Sequence, residues 1–174
     1  MKNFRFAILC LGIVCSLSFL WSTSLSLPQT LASHFNWAGQ ADGFMSRTGY
    51  LILYALMMLA MPLFIYAMAG LFPAYLARHA DAGLSIPHKQ YWLAAERRAA
   101  SADYLQNHAV WLAIIVLGLF DAIHFKVWQA NQHASLAQAQ ADFTWMLILS
   151  VLAILLWIGT MLRHFWRLPA QSAQ

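Results

Sequence analysis

Four long apolar stretches, at residues 4–27, 48–76, 109–130 and 143–162, alternate with three polar connections along this chain. A helix needs about 20 apolar residues to cross the hydrocarbon core of a bilayer, and each stretch supplies them. The pattern predicts an all-α fold, a polytopic membrane protein built as a four-helix transmembrane bundle, with residues 1–174 as a single membrane domain. The second stretch carries Pro62, Gly70 and Pro73. It is expected to kink at Pro62 and to tilt or run on past the membrane. Tyr50, Tyr54, Met57 and Met61 recur along it at helical spacing and form a candidate packing face. Within the 77–108 connection, residues 83–87 read as a turn and 93–108 as an amphipathic helix. Leu93, Ala100, Tyr104 and His108 lie on one side of that helix, and Arg97, Arg98 and Ser101 on another. It lies at the interface or runs straight into the third span.

Composition fixes the class. The 174 residues are 61% hydrophobic and 9% charged, with a mean hydropathy of +0.59, against about 25% charged in an ordinary soluble domain. The lipid bilayer is the first expected partner. A net charge of +4 spread over ten Lys and Arg residues is no nucleic-acid signature, because it forms no basic patch. The distribution of charge sets orientation instead. Lys2, Arg5, Arg78, Lys89, Arg97, Arg98, Arg163 and Arg167 fall at the termini or in the 77–108 connection, whereas the 27–47 and 131–142 connections hold only Arg47. The positive-inside rule puts both termini and the middle connection in the cytoplasm, with 27–47 and 131–142 outside. The first stretch exceeds the usual apolar core of a cleavable signal, so an anchored helix is expected. Cys10 and Cys15 point in different directions on it and are not expected to pair.

The outer segment 27–47 is polar and turn-rich. Pro28 ends the first helix or forces an extended exit, residues 36–39 and 41–43 are turn material, and Ser46 or Thr48 caps the second helix. Two readings stand side by side. In the first, His34, Asn36 and Asp42 satisfy backbone groups in a tight turn. In the second, His34 and Asp42 present an imidazole and a carboxylate to a ligand, metal or partner.

The third stretch carries ionisable residues where they are costly, and such residues are functional candidates by default. Asp121, His124, Trp128 and Asn131 fall on one stripe, at a depth within reach of the outer segment, while Lys126 lies off it and can snorkel. Either Asp121 and His124 lock this helix to a neighbour, or they share a site with His34. In a shared site Asp121 would orient His124, and a divalent metal on His34, Asp121 and His124 is the alternative to having no cofactor. There is no HExxH, CxxC or nucleotide loop. His79, His88, His133 and His164 read as solvated and His108 as interfacial. Tyr91, Trp92, Glu96, Arg97 and Arg98 form a cytoplasmic motif suited to anionic head groups or to docking a cytosolic protein.

Two strings resemble a known family. Leu27-Pro28, His34-Phe35-Asn36, Gly39, Asp42-Gly43 and Arg47 look like the motif "LP, H-[FW]-N, G, D-G, then K or R" of a bacterial membrane domain, domain of unknown function 1648. That domain is the N-terminal domain of SdpI-type toxin-immunity proteins. Residues 86–98, IPHKQYWLAAERR, are similar to the "IPNRDYWLAPERR" stretch of stand-alone members, departing at His88, Lys89, Gln90 and Ala95. No counterpart of the C-terminal SdpI module is recognisable. The resemblance implies a bacterial inner-membrane location and no established chemistry. The expected function is a non-catalytic SdpI-like envelope sensor or protective factor, binding a peptide, lipid or membrane-protein partner through His34, Asn36, Gly39, Asp42, Gly43, Asp121, His124 and Asn131. A small metal-binding protein or hydrolase, and a subunit of a transport or assembly complex, are the alternatives. Oligomeric state stays open.

Overall fold

A computed structural model describes residues 2–79, 83–132 and 143–168. The elements run α1 (Lys2–Ser24), β1 (Thr30–Phe35), β2 (Ala41–Ser46), α2 (Arg47–Tyr66), a π-helical turn (Ala67–Leu71), α3 (Phe72–His79), α4 (Lys89–Trp92), α5 (Arg98–Ala130) and α6 (Thr144–Trp166). Four helical segments are long and apolar enough to cross a membrane: Phe4–Ser24, Arg47–His79, Arg98–Ala130 and Thr144–Trp166. The chain is therefore mostly helical, with four candidate spans.

The helix α5 is central, packing on α1, α2, α3 and α6. Its small residues make this possible, because Ala109 and Ala113 are fully buried and let neighbouring backbones approach. A long apolar core joins Leu9 and Ile13 of α1, Tyr54 and Met58 of α2, and Leu117 of α5. At the end of the bundle away from the strands, a second core gathers Ala74, Ala77, Leu93, Ala102, Leu105 and Phe165. Both 33-residue segments are about 50 Å long at 1.5 Å per residue. They are longer than a hydrocarbon core of about 30 Å is thick. Helix α6 packs chiefly on α5, and none of its most apolar window is buried.

Several expectations change. The fold is not purely α, since residues 30–46 form an antiparallel β-hairpin with irregular register around His34. Strand β2 alternates in exposure but places Phe44 on its outward side, and β1 buries the adjacent Leu31 and Ala32, so the sequence carries no clean apolar–polar period of two. The second helix passes through Pro62, and its departure from α geometry falls later, over Ala67–Leu71. The buried face of α2 is Tyr50, Tyr54, Met58, Pro62 and Tyr66, while Met57 and Met61 are exposed. The helix expected over 93–108 begins at Arg98 and continues unbroken to Ala130. His133 and most of the 131–142 connection lie outside the described residues.

Candidate functional site

The hairpin is built by its turn. The Asn36 carbonyl accepts the Gly39 N–H at 2.8 Å, and its side-chain Oδ1 accepts the N–H groups of Ala38 and Gln40 at 2.9 and 3.0 Å. Gly39 takes φ 76°, a left-handed conformation that glycine enters without steric cost. Asn36 and Gly39 thus shape the turn. Gly43 is paired with His34, and a Cβ at Gly43 would lie 2.7 Å from the His34 Cβ. Only hydrogen fits there, so Gly43 makes room for the imidazole. His34 Nδ1 then meets Asp42 Oδ1 at 2.5 Å, with the two side chains 74% and 43% exposed. The carboxylate fixes the ring, and Nε2 has no hydrogen-bond partner among the described residues.

The hairpin is fastened to the bundle by Asn131, just past α5. Its Oδ1 accepts the Ala32 N–H, its Nδ2 donates to the Ala32 carbonyl, and Nδ2 also donates to the Val127 carbonyl, each at 2.8 Å. One amide therefore plays the part of a neighbouring strand for the free edge of β1. Arg47 adds a bond to the Leu27 carbonyl at 3.1 Å, and Trp128 Nε1 donates to Ser26 Oγ at 2.8 Å.

Below the hairpin lies a polar cluster among α1, α2 and α5. His124 is fully buried. Its Nε2 lies 2.7 Å from Thr23 Oγ1 and its Nδ1 2.8 Å from the Tyr50 hydroxyl. The single Thr23 hydroxyl proton is directed at α1 carbonyls, 2.9 Å from that of Phe19. Nε2–H therefore donates to Thr23 and Nδ1 accepts from Tyr50. The rings of Phe19, Tyr50 and Tyr54 surround the imidazole at centroid distances of 5.3, 5.8 and 5.6 Å. One turn away, Ser16 Oγ donates to Asp121 Oδ2 at 2.7 Å, while the buried Oδ1 has no hydrogen-bond partner among the described residues.

These contacts decide among the expected site residues. His34, Asp121 and His124 do not converge. The first pairs with Asp42, the second turns to Ser16, and the third has both nitrogens occupied. No group of three or more His, Cys, Asp and Glu suited to a metal ion occurs among the described residues. Asp121 does not orient His124, and Asn131 is spent on the backbone. Ser16 and Thr23, which complete the cluster, look like ordinary small residues of an apolar helix, and only their spacing of seven hints at a shared face.

What the hairpin does form is a cleft. An open space of about 850 Å³ lies between it and α6, with His34, Asn36, Trp37 and Asp42 on one wall and Phe143, Met146 and Leu147 on the other. Ile123 of α5 also lines it. Trp37 at the hairpin tip is fully exposed.

At the far end of the bundle, the 91–98 motif forms a clasp. Trp92 Nε1 donates to the Phe165 carbonyl at 2.7 Å, and the Trp92 carbonyl accepts from Ser101 Oγ at 2.7 Å. Arg97 covers the Tyr91 ring at 4.0 Å and donates to the Tyr91 carbonyl. Arg98 opens α5, and Glu96 is exposed. His88 and His79 are exposed, as expected. His164 is instead stacked at 3.5 Å on Tyr104, and His108 exchanges hydrogen bonds with Trp157, Nε2 to its carbonyl and the Trp157 indole to that of His108.

The fold and these sites together define a helical membrane-type protein whose bundle is capped at one end by a clamped β-hairpin. Within it, residues 8–58 match the family described as Domain of unknown function (DUF1648). That match covers most of α1, the hairpin and the first half of α2, and so includes His34, Asp42, Thr23 and Tyr50 but not Asp121 or His124. No curated protein and no solved structure matches the chain.

Proposed function

We propose that this is a non-catalytic SdpI-like envelope sensor or protective factor of the bacterial inner membrane. Both termini lie in the cytoplasm, and the hairpin faces outward. Its cleft receives an amphipathic, envelope-active agent. The observation that carries this reading is the pairing of an apolar α6 wall with a polar hairpin wall across one open cleft. An apolar portion of the agent would lie along Met146 and Leu147. Its polar portion would reach the exposed His34–Asp42 pair, whose imidazole offers Nε2. Pockets that combine mostly apolar walls with a few fixed polar groups are the usual form of a binding site. Orientation by flanking charge supports the same placement.

Deleting the protein from its host should alter sensitivity to envelope-active agents. Complementation with His34→Ala or Asp42→Ala should fail at normal protein level. Full protection by both variants would refute the reading. A role as a subunit of a transport or assembly complex draws on the unpartnered Asp121 Oδ1. Purification from native membranes as a single species would count against it.

A further inference from the structure

At the end of the bundle opposite the hairpin, a second pocket of about 530 Å³ is lined by Trp92, Tyr104, Thr160, Arg163, His164 and Arg167. The chemistry there differs from that of the hairpin cleft. Arg163 lies in the last turn of α6 and Arg167 is its C-cap residue, and both line the pocket. Both are exposed, and neither has a carboxylate partner among the described residues. The pocket floor is aromatic. His164 lies 3.5 Å from Tyr104 with the rings 7° from parallel, and the Trp92 ring centre stands 4.9 Å from that of His164. The Trp92 ring is held by its bond to the Phe165 carbonyl, and the Tyr104 hydroxyl leans on the Thr160 carbonyl at 3.4 Å. These side chains are therefore positioned before any ligand arrives.

We propose that this pocket binds a phosphate ester, and specifically the headgroup phosphate of an anionic phospholipid. Two unpaired guanidiniums supply planar donor forks that match phosphate oxygens. The lipid source follows from what adjoins the pocket. Leu155, Leu156 and Leu162 of α6 are 57%, 69% and 37% exposed, an apolar strip along which acyl chains can run towards the bilayer interior. Trp166, 64% exposed, stands at the same level, the position aromatic residues take at a membrane boundary. The proposal concerns residues separate from the hairpin cleft and does not depend on what that cleft binds.

The test uses full-length protein in detergent. Native mass spectrometry would follow titration with dioleoyl-phosphatidylglycerol, with dioleoyl-phosphatidylcholine, or with inorganic phosphate alone. Both lipids offer the phosphate, but the choline ammonium of phosphatidylcholine is repelled by the two guanidiniums, so wild type should retain phosphatidylglycerol about tenfold better. The double variant Arg163→Gln with Arg167→Gln should lose that preference. Arg5→Gln with Lys89→Gln, which removes equal charge from outside the pocket, should keep it. Arg163→Lys with Arg167→Lys, the conservative pair, should restore part of it and so separates ligand contact from misfolding. Equal retention of the two lipids by wild type, or equal loss of preference in both Gln double variants, would overturn the proposal. Saturation by inorganic phosphate without lipid, abolished only by the Arg163 and Arg167 changes, would overturn the lipid source.

Discussion

Replacing Asn131 by Leu, which keeps the branched shape in a somewhat larger side chain but removes the amide, is the sharpest probe of how the hairpin is held. Asn131 is 5% exposed and Ala32 fully buried. The change deletes three bonds of 2.8 Å, two of which satisfy the outward edge of β1. Buried groups left unsatisfied cost about 1–3 kcal/mol each. Side-chain hydrogen bonds in membrane bundles average only about 0.6 kcal/mol, with a maximum of about 1.7. The hairpin sits at the bundle end, where a local opening admits water, so the smaller figures govern. Three bonds then amount to about 2 kcal/mol, or about thirty-fold in the opening equilibrium. Hydrogen exchange resolved to single residues by fragmentation is the assay. Successive strand residues direct their backbone groups to opposite edges, so Ala32 reports on the Asn131 clamp while Leu31 reports on pairing with β2. The Ala32 amide should exchange about thirty-fold faster in the variant, by the same arithmetic. Asn131→Asp, which keeps an acceptor for the Ala32 N–H, should fall between. Unchanged exchange at Ala32 in a folded Asn131→Leu protein would refute the clamp.

Two further outcomes follow from packing and polar contacts. Gly70→Ala would place a Cβ 2.8 Å from the Ala109 Cβ and should destabilise the bundle by about 1–3 kcal/mol, read as a lower midpoint of thermal unfolding in detergent. His124→Phe removes the bonds to Thr23 and Tyr50. It should cost about 1–2 kcal/mol without changing metal content, as checked by the same unfolding assay and by elemental analysis.

The spans were legible because apolar length is a one-dimensional property, and the four stretches became four helices. The hairpin was not, because its strands are six residues each and its order comes from Asn131, about a hundred residues away in sequence. The residues His34, Asn36, Gly39, Asp42 and Gly43 were recognisable as a set. Their division of labour was not, since whether an Asn shapes a turn or meets a ligand depends on contacts that only folding creates. Asp121 and His124 stood out in the sequence as ionisable residues in an apolar stretch, yet spacing on one helix cannot tell which neighbour each will face. They turn to Ser16 and to Thr23 with Tyr50, not to His34. The α2 stripe was misassigned at Met57 because steps of three and four are equally helical, and α5 selects the latter.

That selection gives the π-helical turn a meaning. The buried residues of α2 recur at every fourth position from Tyr50 to Tyr66. A step of four turns an α-helix about 40° past a full circle, so the buried face creeps around the helix and would in time lose α5. The wider turn at Ala67–Leu71 spends an additional residue without equivalent rotation and so winds the drift back. Beyond it, Ala74 and Ala77 are again buried. The turn acts as a phase corrector, allowing a 33-residue segment to remain on one partner through two cores. Winding the same number of residues as regular α-helix would instead swing α3 by up to about 100° and carry Ala74 and Ala77 away from their partner.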